Sequence, residues 1–182
     1  QLSWDEHGHL TQIYDRENDR DVLAPGQRGN VLQVFEDKPL AHEAWDIDLF
    51  YQEKMDEIHD LVSAELVEHN ALRCIMRFQW NWGKSTIIQD MVLYSSTRRI
   101  DFRTKVDWHQ RQQLLKVEFP VDIRAVEATY DIQFGNVKRP THWNTSWDWA
   151  RFETVGHQWA DLSEQGYGVS LLNDCKYGYD IR

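Results

Sequence analysis

Three segments in the last quarter of the chain carry the side chains best suited to chemistry. They are Arg139–Asp148 (RPTHWNTSWD), His157–Ser163 (HQWADLS) and Asn173–Gly178 (NDCKYG). Tryptophan rings stack on the apolar C–H faces of a sugar, while amides and carboxylates bind its hydroxyl groups in pairs. The three segments therefore predict a carbohydrate-binding surface.

The tryptophan content supports the same prediction. The chain has nine tryptophans, and seven of them follow residue 79. Nine indoles exceed what one hydrophobic core of this size needs, so we expect some of them to line a concave surface.

Charge and composition exclude several classes of partner. The net charge of −10 argues against nucleic acid and against anionic membranes, since both attract clustered lysine and arginine. No run approaches the roughly 18 apolar residues of a membrane span, and the N-terminus lacks a signal pattern. Cys74 and Cys175 form no disulfide framework, and Cys74 is expected to be a buried free thiol on a strand. These features favour a cytoplasmic protein.

The middle of the chain alternates apolar and polar residues, which is typical of antiparallel strands with one face on a core. Short polar segments separate these runs, as hairpin turns do. The predicted strands are Leu72–Trp80, Thr86–Tyr94, Ile100–Trp108, Leu114–Phe119, Ala125–Ile132 and Val169–Leu172, and the predicted turns are Glu68–Ala71, Asn81–Lys84 and Gly135–Asn136.

Helical patterns are almost absent from the sequence. Trp45–His59 is predicted as a short helix or a structured loop, and no repeat or flexible linker divides the 182 residues. Many strands with tight turns and little helix predict an all-β sandwich that forms a single domain over residues 1–182.

The polar segments also resemble a known family. Together with Glu36–Pro39 (EDKP) and Ala44–Asp48 (AWDID), they are similar to the C-terminal region of family 38 glycoside hydrolases. These are zinc-dependent retaining α-mannosidases, and the similarity is to the cytosolic, vacuolar and bacterial branch, from about Leu10 onward. The resemblance implies a two-sheet super-sandwich of the galactose-mutarotase type. It also implies a fragment of a larger enzyme whose catalytic barrel and helical bundle are absent.

The sequence contains no recognisable catalytic or metal centre. Retaining glycosidases need two carboxyl groups about 5 Å apart, and the family's zinc ligands include a His-x-Asp motif that this chain lacks. His7 and His9 lie in a polar turn with no third ligand expected nearby, and His59 beside Asp60 indicates no site either. We expect no catalytic residue and no metal in this chain; the zinc belongs to the parent enzyme, and the isolated chain should be inactive.

The resemblance implies substrate contacts near the C-terminus. Asp174, Lys176 and Tyr177 follow the predicted strand Val169–Leu172, where polar side chains can face a cleft. Relatives carry a basic residue near the position of Lys176, often arginine, so lysine would make a single contact rather than a bidentate one. The alternative is a surface ion pair between Asp174 and Lys176.

A second set of substrate contacts is implied at Trp45 and Asp46. Trp45 offers a stacking face and Asp46 a pair of acceptors for a sugar hydroxyl. The alternative is that Trp45 packs on the sandwich and Asp46 caps a helix.

Four further polar residues are candidates for holding the cavity wall through hydrogen bonds. They are His142, Asn144, Asp148 and His157, although a histidine among tryptophans is more often an ordinary structural group. Spacing by two predicts that Trp147 and Trp149 share one face of a strand, and that His157, Trp159 and Asp161 do so as well.

These observations lead to one main functional hypothesis and two alternatives. The main hypothesis is a non-catalytic domain that lines one side of the glycone site of an α-mannosidase acting on terminal α-mannosides. Its partners would be mannosides or oligosaccharides and the catalytic domain of the same polypeptide. The alternatives are an autonomous carbohydrate-binding module and a small sugar epimerase, for which no residue pair stands out. Unpaired strand edges would favour a homo-oligomer.

Overall fold

The computed structural model of the protein describes residues 1–43 and 45–181. It consists mainly of short strands. The strands are β1 (Leu2–Trp4), β2 (Leu10–Asp15), β3 (Arg20–Asp21), β4 (Val31–Glu36), β5 (Met55–Glu57), β6 (Leu61–His69), β7 (Arg73–Trp82), β8 (Ser85–Tyr94), β9 (Ile100–Asp107), β10 (Gln113–Glu118), β11 (Glu127–Ile132), β12 (Gly135–Pro140), β13 (Thr154–Val155), β14 (Trp159–Glu164), β15 (Tyr167–Leu172) and β16 (Gly178–Tyr179). A 3-10 helix spans Leu49–Glu53, and α1 spans Ser146–Ala150.

A four-stranded antiparallel sheet, β6-β7-β8-β9, forms the middle of the fold. Its strands follow the chain in order, because hairpin turns join neighbours in sequence. Arg77 pairs across the sheet with Asp90, which pairs with Arg103 on the next strand. The opposite face of β7 buries Phe78 and Trp80. This alternation confirms the predicted strands of the region.

The main hydrophobic core lies between this sheet and the sheets β1-β2-β3 and β10-β4-β5. The Phe78 and Trp80 rings stack at 5.6 Å, and Trp4 meets Phe78 edge-on. Burial of the Phe78 and Trp80 rings removes apolar surface from water and so helps to hold the layers together. The buried members of the cluster are Leu10, Leu23, Leu32, Val34, Ile58, Phe78, Trp80, Ile87 and Met91.

A smaller core follows in the C-terminal part of the chain. It lies on the sheet β12-β11-β14-β15 beside the short pair β13-β16. Its buried residues are Ala128, Tyr130, Ala160 and Tyr179.

One arginine joins the N-terminal strands to the C-terminal sheet. Arg20 donates to Glu164 at 2.6 Å and lies over the Tyr167 ring at 4.3 Å.

The prediction of an antiparallel all-β fold with little helix is confirmed. Within Trp45–His59, only the 3-10 segment is helical, and β5 follows it. Gly135 and Asn136 lie in β12 rather than in a turn, so that prediction is wrong. The chain reverses just before them, at Phe134, which has a φ of 62°.

The cysteines and helices give two further observations. Cys74 and Cys175 are both free thiols, and Cys74 is half-buried rather than buried. Within residues 1–43 and 45–181, neither helical segment has the length and apolar content to cross a membrane.

Candidate functional site

A small pocket of about 20 Å³ lies where α1, β12, β13 and the end of the chain meet. We call it the C-terminal pocket. Charged and aromatic side chains share its wall, but a volume of this size holds about one water molecule rather than a sugar ring. It is lined by Tyr130, Arg139, Pro140, His142, Trp143, Asp148, Arg151, Phe152, Thr154, Asp180 and Ile181.

Asp148 lies in this wall because it caps α1. The hydroxyl of Thr145 accepts from the Asp148 backbone N–H at 3.1 Å. The Asp148 carboxylate in turn accepts from the Thr145 N–H at 3.2 Å and from its hydroxyl at 2.7 Å. This capping box begins the helix. The hydrogen bond from the Thr145 side chain lowers the pKa of Asp148, and the nearby His142 lowers it further.

The helix changes the interpretation of two tryptophans. Trp147 and Trp149 lie on α1, so the prediction that they share one face of a strand is wrong. Residues two apart on a helix point in different directions. Both rings are exposed, at 76% and 51% of their surface.

His142 also lines the pocket, whereas Asn144 lies exposed beside it. The Nδ1 atom of His142 lies 3.4 Å from the Asn144 backbone nitrogen and 3.7 Å from the Asp148 carboxylate. The His142 ring thus makes one long contact with the backbone, and the Asn144 residue takes part through its backbone nitrogen rather than through its side chain. Their role in a substrate cavity stays a prediction.

Arg139 forms another part of the wall. Its guanidinium lies 5.1 Å from the centre of the Tyr130 ring and donates to the carbonyl oxygen of Val155. Stacking and hydrogen bonding hold this charge beside the pocket.

A largely buried lysine, with 15% of its side chain exposed, connects the pocket to other parts of the fold. The Nζ atom of Lys116 lies 3.0 Å each from the Tyr51 hydroxyl, Glu153 and Asp180. Burial alone would lower the pKa of Lys116, but the charge of Asp180, the hydrogen bond with Tyr51 and the charge of Glu153 together raise it. Because 37 to 65 positions separate the lysine from these partners, no local pattern could have revealed this group.

Tyr51 lies between the C-terminal pocket and a second, open cleft of about 420 Å³. The Tyr51 hydroxyl donates to Asp180 of the pocket at 2.7 Å, while its ring lines the cleft. The two concave surfaces are therefore neighbours. The second cleft is lined by Glu36, Asp37, Lys38, Asp48, Phe50, Tyr51, Glu53 and Lys54.

The acidic groups of the second cleft differ in environment. Glu36 binds Lys38 at 2.7 Å and Lys54 at 3.0 Å, and the bond to Lys38 is the main reason why the pKa of Glu36 is lowered. Burial, followed by the charges of Asp48 and Glu43, raises the pKa of Asp37.

The predicted contact residues at the C-terminus lie on a tight turn. The Asn173 side-chain oxygen accepts from the backbone N–H groups of Cys175 and Lys176, at 3.1 and 2.6 Å. Asp174, Lys176 and Tyr177 are all exposed. Among the described residues no ion pair joins Asp174 to Lys176, so the surface-pair alternative is wrong.

His157 comes next to this turn. Its ring meets the Tyr177 ring nearly at right angles, with 5.9 Å between centres. The structure thus brings together His157 and Tyr177, two residues that the sequence assigned to separate segments.

Trp45 and Asp46 lie on the surface before the 3-10 helix. Trp45 is 85% exposed, so it does not pack on the sandwich. The residue that caps the 3-10 helix is Asp48, without a side-chain hydrogen bond, so Asp46 is not the cap. Both structural alternatives for this pair are therefore wrong, and Ala44 of the same segment lies outside the described residues.

One expectation about the histidines is also wrong. His9 is fully buried, and groups from Glu57 and His59 lie close to it. A third potential ligand therefore lies near His9. Glu57 ends β5, and His59 follows it beside the turn that holds His9.

Comparison with known proteins gives one consistent result. The family model described as "Glycosyl hydrolases family 38 C-terminal domain" matches residues 1–182. Alpha-mannosidase G of Dictyostelium discoideum is 41% identical over 95% of this chain and 16% of that protein. Alpha-mannosidase 2C1 of Homo sapiens is 41% identical over 98% of the chain and 17% of that protein. The chain thus spans about one sixth of these relatives.

A solved structure supports the fold. The crystal structure of an alpha-mannosidase from Enterococcus faecalis V583 superposes with a TM-score of 0.76 at 12% identity. The match covers 98% of this chain and 23% of the other.

Proposed function

We propose a function on the following premise: this chain belongs to the family of C-terminal domains found in the glycosyl hydrolases of family 38. The chain is the non-catalytic β-sandwich part of a retaining α-mannosidase that hydrolyses terminal α-mannosides. It lines one side of the glycone site, next to the catalytic domain of the same polypeptide. The observation that carries the proposal is the family match along residues 1–182, with relatives that are named α-mannosidases.

The surface of the chain supports this role. Trp45, Asp46, Lys176 and Tyr177 are exposed and take no part in either core. Aromatic faces next to charged groups suit a sugar ring. Such residues are available to a substrate or to a neighbouring domain.

The bond-breaking groups belong to the rest of the enzyme in this proposal. The zinc ion of the family would likewise be held outside this chain. The C-terminal pocket does not suit zinc, because its lining includes a single imidazole, that of His142, and Asp148 is engaged in capping α1. A reducing, cytoplasmic location is consistent with the free thiols of Cys74 and Cys175.

Substitution of Lys176 in the longer enzyme tests the proposal. A hydrogen bond to a charged group contributes about 1.5–3 kcal/mol, so Lys176→Ala should lower kcat/KM for an aryl α-mannoside by roughly tenfold or more. Lys105→Ala is the matched control, because Lys105 is also an exposed lysine but lies on β9. Equal kcat/KM for Lys176→Ala and the unaltered enzyme would contradict the contact.

An assay of the 182-residue chain alone tests the non-catalytic role. It should show no turnover of the aryl α-mannoside. Robust hydrolysis by the purified chain would overturn the proposal.

The exposed tryptophans favour an autonomous carbohydrate-binding module as a second candidate. Trp45, Trp147 and Trp149 each expose more than half of their surface. Titration calorimetry of the chain with mannose and manno-oligosaccharides distinguishes the two functions. Sub-millimolar binding supports a module, whereas half of a glycone site should bind too weakly to detect.

A further inference from the structure

A cluster of metal-ligating side chains lies beside the turn between β1 and β2. Ligand atoms of His9, Glu57 and His59 all lie within 4.8 Å of one another. Two imidazoles and a carboxylate are a ligand set that zinc and related divalent metals use in proteins. We propose that these three side chains form a binding site for one divalent transition-metal ion.

The buried His9 ring is oriented for ligation. Its Nε2 atom lies 3.1 Å from the Ile58 carbonyl oxygen, which can only accept. Nε2 therefore carries the proton, and Nδ1 keeps a lone pair, which accepts from Arg28 in this structure and could bind a metal in its place. Metal-bound histidines commonly donate their second ring nitrogen to a carbonyl in this way.

The turn that carries His9 is itself held in place. One carboxylate oxygen of Asp5 accepts from the backbone N–H groups of His7 and His9, both at 2.9 Å. Gly8 takes a positive φ of 80° between these two residues. The position of the first ligand is thus set by backbone contacts rather than by a flexible loop.

The other two ligands come from the end of β5. The Nε2 atom of His59 lies 3.5 Å from the Glu57 carboxylate. Between them, the Ile58 N–H donates to the Leu32 carbonyl at 2.9 Å. His7 also donates through Nδ1 to the His59 carbonyl at 3.0 Å, and the rings of His7 and His59 are in contact at 4.6 Å.

A positive charge already occupies the centre of the cluster. Arg28 donates from Nη1 to His9 Nδ1 at 2.9 Å, and from Nη2 to Glu57 at 2.7 Å. The same two ligand atoms would bind the metal, so the ion and the guanidinium compete. Arg28 also lies 3.8 Å from Asp5, and 35% of its side chain is exposed, so the proposal requires the guanidinium to turn toward solvent when the ion binds.

The charges favour a divalent ion once Arg28 has moved. Asp5 lies 3.8 Å from His9 Nδ1 and adds a second carboxylate beside that of Glu57. Two negative charges and two neutral imidazoles then surround the ion, and its charge balances theirs.

Metal titration of the 182-residue chain tests the site. After treatment with a chelator, the chain is titrated with Zn²⁺ by calorimetry, and Co²⁺ is followed by its visible absorption. We expect one ion per chain. His59→Ala and Glu57→Gln should each weaken binding at least tenfold, since removal of even an orienting partner costs about 10–100-fold. Both side chains lie at the rim, so these variants should keep the fold, which circular dichroism verifies.

Arg28→Ala is the variant that separates this proposal from a nonspecific histidine effect. It removes the competing charge and should tighten Zn²⁺ binding by roughly tenfold or more. His69→Ala, which removes an exposed histidine on β6, should leave the affinity unchanged. Unaltered affinity in His59→Ala, or no gain in Arg28→Ala, would overturn the proposal.

Discussion

Lys116 joins groups from three separate segments of the chain. Its side chain is 15% exposed and lies 3.0 Å from both Glu153 and Asp180. Lys116→Met would leave two carboxylates facing each other, and loss of one partner from such a buried group typically costs about 3–5 kcal/mol. We expect this decrease in the free energy of unfolding, measured with urea. Lys105→Met, at an exposed site, should change it by less than about 0.5 kcal/mol.

The same lysine predicts a loss of stability at alkaline pH. Because the folded state raises the pKa of Lys116, the unfolded chain releases the proton first as pH rises. The stabilisation is complete below the ordinary lysine pKa of about 10.4 and decreases above it. The unfolding free energy of the unaltered chain should therefore fall more steeply above about pH 10.4 than that of Lys116→Met. Parallel curves would contradict this assignment.

Sequence patterns predict the contacts of individual residues less well than they predict strands. The pattern Thr145-x-x-Asp148 is a visible capping signal that predicts the start of α1, and the same Asp148 lines the C-terminal pocket. By contrast, His9 and His59 meet only through the path of β5, and Lys116 meets its carboxylates only through folding of distant segments. No local spacing contains that information.

At the scale of elements, the long strands were predictable and the short ones were not. The strands β7 to β9 begin and end within two residues of their predicted limits, because eight or more alternating residues show a clear period. Two-residue strands such as β13 and β16 cannot show one. The spacing of Trp147 and Trp149 wrongly predicted a strand for the same reason, because two residues cannot distinguish a strand from a five-residue helix.

Two turns that contain a glycine with a positive φ differ in how closely they pack against neighbouring side chains. Gly8 has a φ of 80°, and a Cβ atom there would lie 2.9 Å from the Trp80 ring. Gly26 has a similar φ of 74° but no neighbour within 4 Å of that position. Both alanine variants suffer the backbone strain of about 1–2 kcal/mol. Only Gly8→Ala adds overpacking of about 1–3 kcal/mol.

Chemical unfolding of the two glycine variants separates these effects. The free energy of unfolding should be lower for Gly8→Ala than for Gly26→Ala by the overpacking cost. Equal losses would mean that the Trp80 ring moves aside freely.

At the scale of the whole molecule, the two hydrophobic cores are linked by charged contacts. Arg20 joins β3 to Glu164, and Lys116 joins β10 to Asp180 near the C-terminus. The periodicity predicted that the sheets would form, but it carried no information about how they are joined. The family resemblance supplied the sandwich architecture, which alternation alone could not have distinguished from other antiparallel folds.

The edges of the four-stranded sheet lead to a prediction for the chain in solution. β6 and β9 are the outer strands of that sheet, and their exposed apolar residues include Val62, Leu66 and Val106. Unpaired edges with apolar side chains favour association with another chain. We expect size exclusion with light scattering to show a dimer or larger species for the 182-residue chain, with the monomer fraction rising on dilution.

A charge on the edge strand should reverse this association. Leu66→Lys places a positive charge at a side chain that is 59% exposed, so it should leave the fold intact and raise the monomer fraction. Leu40→Lys is the matched control, because Leu40 is 90% exposed but lies outside every strand. A monomeric unaltered chain would refute the prediction, and an equal effect of both substitutions would show that general charge, rather than the edge of β6, controls association.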